Sequence, residues 1–275
     1  NKFHDYYQME ETTWTGYGES PHVDGIFLRD DVDGVFGKNI RIFNNDFWSG
    51  QVSGIGGTAD IYVTEGPSAI IYNNTFRGTH MTRNIFLNNG PHTASRNQEV
   101  YIFNNSLFGS YQPFIELGYS GTRFPKKVTI KNNIFYDAMT GSSNNFIIYL
   151  NTSDNSVKSN WSFENNYYQT FNTLGQFLGQ LSPLPNGGLS LMRSYGWELN
   201  GKQGDPKFVD VSYGVGQNTG LNNLHLLSTS GAINVGTDLS TYFTTDRDGN
   251  ARGIGGAWDI GAYEYTGTVT NPPPV

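Results

Sequence analysis

Short stretches of alternating aliphatic residues recur through the first two thirds of the chain. One set reads Ile26-Phe27-Leu28, Ile61-Tyr62-Val63, Ile85-Phe86-Leu87, Ile115-Glu116-Leu117 and Ile148-Tyr149-Leu150. An aliphatic first and third position buries one face of a strand and leaves the middle residue on the other. A second set alternates in the same way, as in Ala69-Ile70-Ile71 and Val128-Thr129-Ile130, and runs into an Asn-Asn doublet. The second Asn of the doublet falls at 45, 74, 105, 133 and 166, in steps of 29, 31, 28 and 33. Strands repeating at such a period signal a solenoid, because one repeat can bury its apolar face only against the next. The pattern predicts an all-β parallel solenoid with two or more short strands per coil and equivalent residues about 4.8 Å apart along the axis.

The doublet itself reads as scaffold. Asn tolerates the left-handed backbone that a tight corner between sheets requires. An inward Asn can also hydrogen-bond to its equivalents above and below, giving a ladder of satisfied amides. The aromatic or Leu two residues later is expected to stack on its counterpart in the next coil.

Register turns scattered residues into columns. The middle positions align Phe27, Tyr62, Phe86, Glu116 and Tyr149 into one outward stripe, on which sugar rings can stack. The position just before each strand reads Gly25, Asp60, Asn84, Phe114 and Ile147 and is expected to face outward too. With His22, Asp24 and Arg83 beside it, Asp60 would then belong to a polar patch next to the stripe. Arg29, Asn84 and Trp14 are candidate substrate contacts, Trp14 in an insertion over 8–21 that sits where binding loops gather.

That patch supports two chemistries. Asp24 with Asp60, or Asp60 with Glu116, can act as the acid and base of glycoside hydrolysis. Alternatively, Arg83 can neutralise a uronate carboxylate while His22 removes the adjacent proton in a β-elimination. The stripe alone would suffice for a third reading, a non-catalytic glycan-binding or adhesin module. Asp30, Asp31, Asp33 and Glu65 cluster within about two rungs as oxygen donors for Ca²⁺, the one cofactor considered. Asp246, Asp248 and Asn250 alternate as calcium ligands do, without the distal Glu of an EF-hand. Arg123, Lys126 and Lys127 form the one local basic cluster. His4, His80, His92 and His225 show no metal-ligand spacing.

Composition narrows the classes further. A formal charge of −7 and a pI near 5.1 with no basic stripe argue against a general nucleic-acid binder. No apolar run is long enough to span a membrane. The chain has no cysteine, which removes disulfides and thiolate metal sites. Residues 1–175 are expected to form the coils, 176–265 the last coils and a C-terminal cap with one short helix over 189–197, and 266–275 a Thr/Pro linker. Asn1-Lys2-Phe3 matches Asn45-Asp46-Phe47, which leads to the expectation of a signal peptide and further coils upstream, and of a monomer within a larger multi-module chain.

The segments Asp205-Pro206-Lys207-Phe208-Val209-Asp210, Gly231-Ala232-Ile233-Asn234-Val235-Gly236, Thr245-Asp246-Arg247-Asp248-Gly249-Asn250 and Asp259-Ile260-Gly261-Ala262-Tyr263-Glu264 resemble those of bacterial secreted right-handed parallel β-helix proteins. These belong to the pectate-lyase-like superfamily. The resemblance covers nearly the whole chain and implies a right-handed parallel β-helix located outside the cell. It implies a polysaccharide partner and inclines the reading toward a lyase. The calcium-binding and Lys/Arg signatures of pectate lyases have no residue-by-residue match here.

Overall fold

The structure is a computed structural model that describes residues 1–4, 24–29, 39–48, 57–79, 81–88, 98–110, 113–121, 124–136, 146–152, 155–169, 178–180, 185–214 and 217–267. Among these residues the chain is a parallel β-solenoid with three stacked sheets. The strands entering the doublet form a pre-doublet sheet of five: Ile40–Phe43, Ala69–Tyr72, Glu99–Phe103, Lys127–Lys131 and Trp161–Glu164. Those leaving it form a post-doublet sheet of seven: Lys2–His4, Asp46–Trp48, Thr75–Arg77, Ser106–Phe108, Ile134–Tyr136, Tyr167–Gln169 and Lys202–Gln203. The third, the aromatic sheet, has six: Asp24–Arg29, Gly57–Thr64, Met81–Leu87, Ile115–Gly121, Ile148–Thr152 and Leu178–Gln180.

The doublet makes the corner between the first two sheets. Its first Asn adopts the left-handed region, with φ of 55° at Asn44, 54° at Asn73, 47° at Asn104, 57° at Asn132 and 55° at Asn165. Its second Asn turns inward and is buried. From Asn74 to Asn166 each buried amide is then fully used. Asn105 Nδ2 donates to Asn133 Oδ1 at 3.0 Å and to the Ile71 carbonyl at 3.0 Å, while its Oδ1 accepts from the Nδ2 and backbone N–H of Asn74. The ladder runs from Asn1 through Asn45, Asn74, Asn105 and Asn133 to Asn166.

A directional ladder needs a final acceptor, and Glu198 supplies it. Its carboxylate accepts Asn166 Nδ2 at 2.5 Å, the Asn166 backbone N–H at 3.2 Å and the Tyr168 hydroxyl at 2.7 Å. Burial nevertheless raises its pKa, with those hydrogen bonds pulling the other way. Inside the coils, Phe47 stacks on Phe76 at 4.8 Å and Phe135 on Tyr168 at 5.3 Å. The helix Leu189–Ser194 with buried Met192 and Trp197 closes this end of the core, and Trp197 Nε1 donates to the Trp161 carbonyl at 2.9 Å.

From about residue 205 the chain returns along the outside. The first Asn of successive doublets greets it: Asn165 Nδ2 donates to Val235 O, Asn132 Nδ2 to Thr237 O and Asn73 Nδ2 to Thr245 O. Arg41 Nη1 donates to Tyr242 O at the opposite end from Asn165. Phe208, Leu226, Ile260 and Tyr263 pack on Phe108, Ile134 and Tyr167 of the post-doublet sheet. Phe243 and Trp258 pack on Tyr72 and Phe103 of the pre-doublet sheet. Arg252 pins the segment from a fully buried position, donating to Asn73 Oδ1 at 2.7 Å and the carbonyls of Gly261 and Ala262, with Glu264 at 3.4 Å. No described helix is long and apolar enough to cross a membrane.

Candidate functional site

The C-terminal segment occupies much of the outer faces of two sheets, and the candidate site lies on the third. Register on the aromatic sheet pairs Phe27 with Tyr62, Tyr62 with Phe86, Phe86 with Glu116 and Glu116 with Tyr149. Ile26, Ile61, Ile85, Ile115 and Ile148 pack in the core, so alternation sends the middle column outward. Phe27 is 47% exposed and its ring meets Tyr62 at 5.0 Å; Tyr62 stacks on Phe86 at 4.8 Å and 15°. Tyr62 and Tyr149 are half-buried.

The stripe is not bare along its whole length. Phe86 and Glu116 are buried, each 4% exposed, against the expectation of an open column. Arg83 is the reason. Its guanidinium lies over the Phe86 ring at 4.6 Å, and its Nε donates to Glu116 Oε2 in an ion pair. Asn151 Nδ2 donates to the other carboxylate oxygen of Glu116 at 2.9 Å. The exposed platform therefore contracts to Phe27 and Tyr62, bordered by Arg83 with its side chain 20% exposed.

The second outward row is also corrected. Asp60 and Asn84 are fully buried, and at the equivalent positions Phe114 and Ile147 belong to the core. Asp60 and Asn84 lie within their strands, Gly57–Thr64 and Met81–Leu87, at a point where alternation breaks: Asp60 and Ile61, like Asn84 and Ile85, are buried in succession. Asp60 Oδ2 accepts from Thr79 Oγ1 at 2.8 Å and Asn84 Nδ2 at 2.7 Å, while its Oδ1 has no partner. Burial pushes this carboxyl up to about 8, with the two hydrogen bonds opposing and the nearby Asp24 charge adding to the rise. A neutral carboxylic acid inside the solenoid cannot reach a ligand on the outer face.

Asp24 shares a column with Ala59 and Arg83 and is half-buried, its Oδ1 accepting the Ala59 N–H at 3.0 Å. Arg29, exposed, donates from Nε to Glu65 Oε2 at 3.0 Å. That guanidinium already neutralises Glu65, which stands at a corner with φ of 62°. His22, Trp14, Asp30, Asp31 and Asp33 lie outside the described residues. Among the described residues no cluster of three or more His, Asp or Glu is arranged to hold a metal. Asp246 in particular spends both oxygens on N–H donors: Asp248 and Asn250 on Oδ1, Glu264 and Asn250 Nδ2 on Oδ2.

Two positioning residues escaped the sequence reading. Asn88 Nδ2 donates to the Tyr62 hydroxyl at 2.8 Å, and Asn88 Oδ1 in turn accepts the Thr64 hydroxyl. Asn151 holds Glu116 as described. Both follow the last aliphatic residue of their strand triplet, in the column shared with Arg29 and Thr64. One further step of the alternation would have found them. Neither a protein-family model nor a curated protein matches the chain.

Proposed function

We propose that the protein binds a glycan along the outer face of the aromatic sheet, with sugar rings stacked on Phe27 and Tyr62. The observation that carries this reading is the Phe27–Tyr62 pair, its rings 5.0 Å apart and tilted by 36°, with Phe27 exposed and Tyr62 half-buried. It lies on the sheet that, among the described residues, the returning C-terminal segment does not cover. An aromatic face held rigidly by a neighbouring ring and by the Asn88 hydrogen bond loses little entropy when a sugar docks. Arg83 beside it offers donors to sugar hydroxyls or carboxylates. Tyr149, two rungs beyond Phe86, extends the line of contact. The partner is a polysaccharide, and its class places the protein outside the cell, in keeping with the pectate-lyase-like resemblance of the sequence.

Cleavage by Asp24, Asp60 and Glu116 is not part of the proposal. Asp60 faces the interior and Glu116 is bound by Arg83 and Asn151. Neither is placed to exchange a proton with a sugar on the outer face. Binding across a panel of neutral and uronic polysaccharides, compared between the wild type and Tyr62→Ala, tests the reading. Release of oligosaccharide products by the wild type would show a catalytic step in addition to binding. Undiminished binding by Tyr62→Ala would remove the platform from the account.

A further inference from the structure

Two members of the basic cluster singled out in the sequence, Lys126 and Lys127, lie on a different sheet from the aromatic platform, and Arg123 lies outside the described residues. Lys126 and Lys127 border a groove of about 330 Å³ on the pre-doublet sheet, lined also by Glu99, Thr129, Asn160 and Ser162. Register places Tyr101, Thr129 and Ser162 in one outward column. Tyr242 of the returning segment packs at Tyr101, 5.7 Å between rings, and the groove opens on the two rungs beyond.

Its chemistry is that of a small polar site. The hydroxyls of Thr129 and Ser162 sit on adjacent rungs without a hydrogen-bond partner among the described residues, and so does the Asn160 amide. Glu99, the one acid in the lining, is already engaged: it accepts the Tyr101 hydroxyl at 2.7 Å and faces Lys127 at 3.6 Å. Lys127 also lies over the Tyr101 ring at 5.6 Å. Among the described lining residues two ammonium groups stand against one carboxylate, in a chain whose formal charge is −7. A local excess of cation within an acidic protein concentrates anions there.

We propose that this groove is a second binding site, specific for an oxyanion such as a sulfate. Lys126 and Lys127 would supply the charge, and the Thr129 and Ser162 hydroxyls with Asn160 the hydrogen bonds. The oxyanion is either free or carried on a sugar whose own hydroxyls meet the same row. This site stands independently of the glycan platform, which is on another face.

Calorimetric titration of the full chain with sodium sulfate, glucose 6-sulfate and glucose, at constant low ionic strength, tests the assignment. Saturable binding of both sulfate probes and none of glucose is expected. Tighter binding of glucose 6-sulfate than of sulfate would identify a sugar-borne group, and equal affinity a free anion. Ser162→Glu, which places a negative charge in the groove, and Lys126→Ala/Lys127→Ala should each weaken both sulfate probes about tenfold or more. Tyr62→Ala should leave them unchanged. Thermal unfolding of each variant checks that it is folded, and the two variants act from different strands or charges. Absence of saturable binding by either sulfate probe, or affinities unaltered in the folded variants, would overturn the site.

Discussion

Replacing Asp60 by Asn should make the protein more stable at neutral and alkaline pH, and the gain should vanish in acid. The folded-state pKa of Asp60 is about 8 against an ordinary 3.8. Between these values the unfolded chain has lost the proton that the folded chain retains. A carboxyl whose pKa is raised by folding favours the native state fully below the unfolded pKa. That contribution is lost as pH rises toward the folded pKa, at about 1.4 kcal/mol per pH unit. The whole interval corresponds to about 6 kcal/mol, an upper bound because relaxation around an ionised Asp60 offsets part of it. Asn offers the same acceptor to Thr79 and Asn84, places an N–H₂ where Asp60 Oδ1 stands without a partner, and does not titrate. Urea unfolding of both proteins across a pH series gives the difference directly. Glu198, Asp259 and Glu264 also have raised pKa values through burial, and their contributions cancel in that difference. A stability gap between wild type and Asp60→Asn that stays constant with pH would refute the neutral, interior carboxyl.

Glu198→Gln should cost about 1–3 kcal/mol in urea unfolding, since one of the two accepting oxygens becomes an N–H₂ that opposes a donor, at least the Asn166 backbone N–H; an unchanged midpoint would mean that the ladder needs no terminal acceptor. Arg252→Met should lose about 3–5 kcal/mol by leaving Glu264 buried without its cation, and should expose the 205–267 segment to limited proteolysis before the coils. Gly261→Ala should destabilise by about 2 kcal/mol or more, because Gly261 has φ of 101° and an added Cβ would lie 2.7 Å from Ile134 Cδ1. A wild-type thermal midpoint in that variant would show that the segment does not press so closely on the sheet.

The solenoid and its register were legible because a strand pairing in register repeats its chemistry at every rung. The Asn doublets needed no tertiary information to be aligned, and Phe27, Tyr62, Phe86, Glu116 and Tyr149 do share a column. What alternation cannot show is where a strand breaks it. Asp60 and Asn84 look outward by parity, yet within their strands both are buried beside the inward Ile61 and Ile85 and hydrogen-bonded with Thr79. Nor does it show which long side chain folds back over a neighbour, as Arg83 does over Phe86. The ladder's terminator was hidden for a different reason. Glu198 lies outside the repeat, and its role exists only because each Asn donates to the next and the last one needs an acceptor. The returning segment was similarly opaque, since its partners are carbonyls met by the first Asn of four doublets, and a carbonyl has no signature in sequence.

The most direct test of the central claim is the affinity of the wild type, Phe27→Ala and Tyr62→Ala for whichever polysaccharide in a neutral and uronic panel binds best. Loss of a stacked ring should weaken binding about tenfold or more for each, corresponding to about 1.4 kcal/mol, while urea unfolding confirms that both variants are folded under the binding conditions. Equal affinity in all three proteins, or no binding to any member of the panel, would contradict a glycan platform on the aromatic sheet.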